Sequence, residues 1–248
     1  MLPRFYCNEQ ITVNQPFELP ENVRHHAVRV LRLKQGDSII LFNGQGGEFL
    51  SEIIAVNKNT STINILQHDT RECESPLKIE LAQAICANEK MDWVIQKAVE
   101  MGVNCIQPVS TTRSVIKLSG ERAAKRLRHW QQIAIAACEQ CGRNRLPEVL
   151  PPLSLSHWLG EIKDRELSTH TNLLLLPTAE KKLSALPRKP SCGSFTLLVG
   201  SEGGFTSEEE HAALHTHFEP IQIGKRILRA ETAALAAIAA MQTLWGDY

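Results

Sequence analysis

The chain has 248 residues, 43% of them apolar, and its 27 basic and 27 acidic side chains leave a formal net charge of zero. No apolar run approaches the ~18 residues of a membrane span, and Met1-Leu-Pro-Arg-Phe-Tyr-Cys7 lacks the apolar stretch of a signal peptide. Seven cysteines, an odd number spread over the whole length, point to reduced thiols and a cytoplasmic protein. With no global charge excess, any nucleic-acid partner has to be held by local basic patches.

Arg4 and Tyr6 flank Phe5 ahead of a short apolar segment at Ile11 and Val13. From Pro20 a helical pattern predicts Val23, Ala27, Val30 and Leu31 on one face, with Arg24, His25, Arg29 and Arg32 on the other. That basic face fits a nucleic-acid contact and fits an ordinary solvated helix equally well. Gly36-Asp37 stops the helix. Ser38–Phe42 and Glu48–Val56 read as strands joined by the hairpin signal Asn43-Gly-Gln-Gly-Gly47, and Thr60–Leu66 alternates as a half-buried strand does. Several short strands with glycine turns in so few residues predict a small barrel.

Asp69-Thr-Arg-Glu-Cys-Glu-Ser-Pro76 is polar, ends in proline and reads as a linker. Beyond it strands and helices alternate. Leu77–Cys86 is strand-like, Lys90–Met101 carries Met91, Val94, Ile95, Ala98 and Val99 at helical spacing up to Gly102, and Val103–Val109 is the next strand. This β-α-β order predicts a mostly parallel sheet. It puts Asn88, Glu89 and Lys90 at a strand-to-helix turn, on the sheet edge where ligand sites occur.

The stretch from Arg113 to His129 holds Arg113, Lys117, Arg122, Lys125, Arg126 and Arg128 against one acid, Glu121. Phosphate neutralisation needs such a cluster, and a solvated helix face explains it as well. The helix is predicted to run on to Cys138-Glu-Gln-Cys-Gly-Arg-Asn144. Cys138 and Cys141 make one C-x-x-C, but no second pair and no suitable histidines follow, so no zinc or other metal is expected. Glu139 and Arg143, four apart at the helix end, fit a mutual pair. Pro147–Arg165 is loop-like with an amphipathic piece around Trp158, Asn172–Pro177 is a buried strand, and Ser184–Ser194 is another loop.

Phe195-Thr-Leu-Leu-Val199 reads as a buried strand running into Gly200-Ser-Glu-Gly-Gly204, and Thr206 with Glu209 forms a capping-box pair that opens a helix. Pro220-Ile-Gln-Ile-Gly224 is a second buried strand, followed by Lys225-Arg-Ile-Leu-Arg-Ala-Glu-Thr232 and an alanine-rich helix to about Trp245. Neither glycine turn has the spacing of a dinucleotide or P-loop fingerprint. Alone, each passes for an ordinary turn.

Together, Gly200-Ser-Glu-Gly-Gly204 and Ile223-Gly-Lys-Arg-Ile-Leu-Arg-Ala-Glu-Thr-Ala233 resemble the SPOUT methyltransferases, most closely the RsmE family, bacterial enzymes that methylate ring nitrogen 3 of a uridine in 16S ribosomal RNA. Ser201 stands where that family usually has proline, and Glu139-Gln-Cys-Gly-Arg143 matches a further family motif, which implies Glu139, Arg143 and Asn144 as candidates for the active-site wall. The resemblance runs over essentially the whole chain. It implies an α/β fold with a mostly parallel sheet and a C-terminal trefoil knot at 73–248, after a PUA-like, RNA-docking β-barrel at 1–72. S-adenosyl-L-methionine is implied to sit on Leu176, Pro177, Gly200, Ser201, Glu202 and Gly203, and on Ile223, Gly224, Ile227, Leu228, Arg229 and Ala233. A cation beside the uridine oxygens would favour loss of its N–H proton; Arg143 is the first candidate and Arg113 the second, with Glu202 to accept the proton or hold a positive part of the cofactor. RNA docking falls to Arg4, Arg24, Arg29 and Arg32, and to Lys117, Arg122, Lys125 and Arg126.

The partners so implied are 16S ribosomal RNA or the small ribosomal subunit, and a second copy of the chain in a homodimer. The run of small residues from Ala233 to Ala240 fits a dimer helix or burial within its own domain. Two other readings stay open: a SPOUT ribose 2′-O-methyltransferase acting on transfer RNA, and a non-catalytic RNA-binding factor of ribosome assembly.

Overall fold

Strands β1 (Arg4–Tyr6), β2 (Pro16–Glu18), β3 (Ser38–Phe42), β4 (Glu48–Val56) and β5 (Ser61–Asp69) form one sheet in the order β1-β3-β4-β5-β2, with helix α1 (Glu21–Arg24) between β2 and β3 in the chain. In this computed structural model, residues 2–166, 168–187 and 193–248 are described, Asn88 by its backbone alone. β1 runs parallel to β3 and the other neighbours are antiparallel. The alternation read from the sequence sends Ile39, Leu41, Ile53, Ile63 and Ile65 to a single core with Phe5, Val23 and Ala27. Each such side chain removed from water contributes about 1.5–3 kcal/mol.

The helix predicted from Pro20 departs from its pattern after one turn. Residues His25–Val30 form a π-helix, which widens the turn and rotates the following side chains. Val23 and Ala27 stay buried, but Val30 and Leu31, predicted on the same face, are exposed. Arg24, predicted on the outer face, is buried and paired with Glu21.

The second unit comprises Ser75–Ala134 and Pro147–Tyr248; the first is Met1–Glu74 with Ile135–Leu146. Its strands β6 (Lys78–Ala84), β7 (Cys105–Ser110), β8 (Glu148–Val149), β9 (Leu153–Ser154), β10 (Thr171–Leu175), β11 (Ser194–Val199) and β12 (Glu219–Ile221) make one sheet. It is ordered β12-β10-β11-β6-β7-β8, with β9 also on β7, and every pairing is parallel. The helices are α2 (Asn88–Glu100), α3 (Gly120–Cys141), α4 (Leu155–Ile162), α5 (Ser207–His215) and α6 (Ala230–Trp245). Parallel strands need covered faces. The near-continuous apolar runs of β6, β10 and β11 meet that need against Trp158, Leu159, Phe205 and Phe218.

Helix α3 begins at Gly120, later than the basic run that starts at Arg113, which leaves Arg113 and Lys117 in the turn ahead of it. Gly142, with φ +88°, takes the left-handed conformation that ends the helix. The last residues of α3, from Ile135 on, and the chain through Leu146 belong to the first unit. Of the loop read at Ser184–Ser194, residues 188–192 lie outside the described residues.

Candidate active site

β10, β11 and β12 are parallel neighbours, so their C-terminal ends open on the same edge of the sheet. Leu176 N–H extends the β10–β12 pairing by donating to the Ile221 carbonyl at 2.9 Å. Beyond that point all three strands turn, and the turns enclose a cavity of about 600 Å³, within the usual size of a small-molecule site. β10 contributes Leu175, Leu176, Pro177 and Thr178. β11 contributes Val199 to Glu202, Gly204 and Phe205, and β12 contributes Gln222 to Gly224, Arg226 to Ala230, and Ala233; Lys90, Arg113 and Glu210 complete the lining. Of the residues expected to hold a cofactor, all but Gly203 line this one space. Gly203 instead packs outward: a Cβ there would meet the Arg113 Cβ at 2.8 Å.

The lining suits a ligand that is part apolar and part polar. Leu175, Leu176, Val199, Ile223, Leu228 and Ala233 give an apolar wall. Ser201 Oγ is buried without a hydrogen-bond partner, and buried hydroxyls are rarely left so. A Cβ at Gly224 would meet nothing within 4 Å, so that glycine leaves room in the cavity. Gly200 differs, because a Cβ there would press on the Phe205 ring at 3.2 Å and on Gly204 Cα at 3.3 Å. Its absent side chain serves the folding of the turn.

Charge in the cavity is organised by pairs. Glu202 Oε1 accepts from Lys90 Nζ at 2.9 Å and from the Ala87 N–H at 3.3 Å. Burial pushes the Glu202 carboxyl up, but the Lys90 ammonium and the N–H groups of Glu202 and Ala87 outweigh it, holding it below the usual carboxylate range. Glu231, at the start of α6, lies 4.0 Å from the same ammonium. Arg113 donates to the carbonyls of Gly203 at 3.1 Å and Phe205 at 2.8 Å, and Glu209 accepts from Thr112 as well as from the α5 cap. The turn after β7 is thereby fastened to the glycine turn after β11. The capping box read from Thr206 and Glu209 is present.

Arg143 has a different setting. It belongs to the first unit, is 3% exposed, and its guanidinium grips Glu74 through Nε at 2.9 Å and Nη2 at 2.6 Å. Burial opposes its charge and Glu74 more than offsets that, so Arg143 is held even more firmly protonated than a free arginine. Glu139 accepts from the Tyr6 N–H at 3.0 Å and so does not pair with Arg143. Arg4 is likewise buried, bonded to Glu48 and to Asn144 Oδ1. In the single chain the guanidinium of Arg143, the first candidate beside the base, is thus bound to Glu74, and Arg4 and Arg24 among the expected RNA contacts are likewise buried and paired, with Glu48 and Glu21. Arg29, Arg32, Lys117, Arg122 and Lys125 are exposed, and Arg126 is half-buried.

Two lining cations, Lys90 and Arg226, were not among the expected site residues. Lys90 has the signal of a strand-to-helix turn on the ligand edge. Arg226 has the signal of three cations without an acid in Lys225-Arg-Ile-Leu-Arg229, directly after a strand. Among the described residues no group of histidine, cysteine and carboxylate side chains could hold a metal.

Comparison with known proteins agrees with this geometry. An RNA methyltransferase domain matches residues 73–242 and an RNA methyltransferase PUA domain matches residues 19–66. The ribosomal RNA small subunit methyltransferase E of Buchnera aphidicola is 39% identical over 99% of this chain and 98% of its own, and that of Bacillus subtilis 31% over 94% and 92%. Among solved structures, the ribosomal RNA small subunit methyltransferase E of Neisseria gonorrhoeae, bound to S-adenosyl methionine, superposes with a TM-score of 0.91 at 42% identity and full coverage of both chains. With both units matched and the likeness running from end to end, this chain belongs to the ribosomal RNA small subunit methyltransferase E family.

Proposed function

We propose that the chain transfers a methyl group from S-adenosylmethionine to ring nitrogen 3 of a uridine in 16S ribosomal RNA of the small subunit. The observation that carries this reading is the single cavity into which the two glycine motifs, far apart in sequence, both open. When bound, S-adenosylmethionine supplies an electrophilic methyl on a sulfonium centre. The chain's part is then to place, orient and keep dry. The apolar wall of Leu175, Leu176, Ile223 and Leu228 accepts a flat ring, and Ser201 Oγ offers an uncommitted hydrogen bond. Glu202 is held as a carboxylate by Lys90 and by backbone donors, which makes it a weak base. Its role is to fix Lys90 and the turn after β6, and not to take the uridine proton. Arg113 holds the glycine turn by its carbonyls and brings a positive charge to the cavity wall, the placement that favours a developing anion on the base.

In this reading residues 1–72 dock RNA and residues 73–248 carry the transfer, with the chain after β12 drawn into a trefoil knot. Gln222 and Lys181–Leu183 are stitched together by backbone hydrogen bonds, in support of such a crossing. The exposed cations of α3 and of the π-helix region are the docking charges. The protein works in the cytoplasm as a homodimer. Ala234 and Ala237 of α6 are used within their own unit, Ala233 faces the cavity, and the half-buried Ala236, Ala239 and Ala240 are the positions left for a second copy.

The test is nucleoside mass spectrometry of 16S ribosomal RNA from cells with and without the gene. A 3-methyluridine present only with the gene is the expected result. A 2′-O-methylated nucleoside lost instead, or no change with a protein that fails to bind S-adenosylhomocysteine, would overturn the reading.

A further inference from the structure

Lys90, Arg113, Arg226 and Arg229 line the cavity against Glu202 and Glu210, in a chain whose formal charge is zero. Two of these cations are committed, Lys90 to Glu202 and Arg113 to two backbone carbonyls. Arg226 and Arg229 are exposed, and their side chains make no hydrogen bond or ion pair among the described residues. Between them stands Ile227, 86% exposed, the most exposed large apolar side chain among the described residues. An apolar side chain so open cannot close a slot around a buried ring. It offers a surface at the mouth.

Deepening the methyltransferase reading and resting on it, we propose that residues 225–229 form the lip that grips the target nucleotide, with Arg226 and Arg229 on the phosphates either side of it and Ile227 under its base. An unpartnered guanidinium presents a donor fork that matches phosphate oxygens, and little desolvation is needed at an exposed site. A base taken out of its stack needs an apolar face to lie on. The run Gly224-Lys-Arg-Ile-Leu-Arg-Ala230 has three cations and no acid, so nothing within it competes for the phosphates. Arg229 opens α6 without bonding its own helix through its side chain, and is therefore free to act outward. This moves Arg229 and Ile227 from the cofactor side of the site to the RNA side. Leu228, more buried than either, stays with the cofactor.

The experiment uses the full chain and small ribosomal subunits from cells lacking the gene, with transfer of a labelled methyl group as readout. Arg226→Gln and Arg229→Gln should each raise KM for subunits, on the order of tenfold for the pair together, and lower the slope of log KM against log salt by roughly 0.7–1 per arginine. Arg226→Lys should restore most of the slope, and Ile227→Ser should raise KM without changing the slope. Calorimetric affinity for S-adenosylhomocysteine should stay within about twofold throughout, well under the tenfold change that a 1.4 kcal/mol loss would give. Weaker cofactor affinity with an unchanged salt slope would assign the arginines to the cofactor's carboxylate. Unchanged values of both would remove the lip from the site. Variants that become monomeric by light scattering would make the segment an interface between copies. Any of these three overturns the proposal, whereas a wild-type chain that transfers no methyl group would overturn the underlying reading instead.

Discussion

In the first unit Arg143 and Arg4 are buried and bound on several sides by Glu74, Glu48 and Asn144, while along the cavity Arg226 and Arg229 are exposed and their side chains have no partner among the described residues. Side-chain chemistry is the same in both places. What differs is the cost of change. A buried guanidinium has already lost its water, so its carboxylate partner is required and neither can be released to a substrate. An exposed one has kept its water and can exchange it for a phosphate. In this chain an arginine close to a glycine motif is thus a structural tie or a ligand group according to its solvation, which the motif alone does not convey.

The comparison is broken most directly by Arg143→Ala. It strands Glu74 without its partner and should lower stability by about 3–5 kcal/mol, read as a lower urea midpoint with an unchanged m-value. Arg226→Gln should lie within roughly 0.5 kcal/mol of wild type in the same assay. An Arg143→Ala variant that unfolds like wild type but has lost methyl transfer would reverse the assignment and return Arg143 to the chemistry.

Next in size is Gly224→Val. No atom of the described residues lies within 4 Å of the added Cβ, but Gly224 has φ +158°, which residues with side chains rarely adopt, so the variant should lose some stability to backbone strain while the cavity loses volume. Affinity for S-adenosylhomocysteine should fall by about 1–3 kcal/mol, the usual cost of overfilling a packed space. Gly200→Val sharpens the contrast, because its side chain collides with Phe205 and Gly204 and should cost stability as well as binding. Calorimetry and thermal unfolding on the same samples separate the two. A Gly200→Val variant as stable as wild type would mean that the β11 turn adapts more readily than its contacts imply.

The sheet and its ligand edge were legible because their signals are local. Apolar runs such as Phe195–Val199 end in glycine, and each strand's successor is announced within a few residues. Partnerships were not legible. Arg143 meets Glu74 across 69 positions and Lys90 meets Glu202 across 112, and nothing near either residue encodes the meeting. The π-helix at His25–Val30 defeated the period itself, since one widened turn sends Val30 and Leu31 to water while Val23 and Ala27 stay inside. The first compact unit also takes in Ile135–Leu146, far along the chain from its other residues. Arg4, Glu139, Arg143 and Asn144 make polar contacts there over more than 130 positions, or across the linker at Glu74, and a linear reading has no means to see them.

The smallest expected effect concerns Lys90, a cavity cation that is tied yet near water. Lys90 and Glu202 are 32% and 27% exposed at their side chains, so solvent screens the pair and limits its worth. Its hydrogen bond to Glu202 raises the Lys90 ammonium above the ordinary lysine value, against the opposing pull of burial, while the same pair holds Glu202 below the usual carboxylate range despite burial. A depressed carboxylate adds stability above its unfolded value, about 4.3, and loses it as pH falls through the lower folded value. A raised ammonium adds stability below its unfolded value, about 10.4, and loses it as pH rises through the higher folded value. Between those limits the contribution is constant. Lys90→Met should therefore lower the unfolding midpoint by a small, even amount across neutral pH, and the gap to wild type should close toward acid as Glu202 takes a proton. If the lip and not Lys90 contacts RNA, the salt slope of KM should stay at its wild-type value in Lys90→Met. A slope reduced as much as in Arg226→Gln would place Lys90 among the cations that leave their protein partner for phosphate, and would erase the line drawn here between tied and available charges.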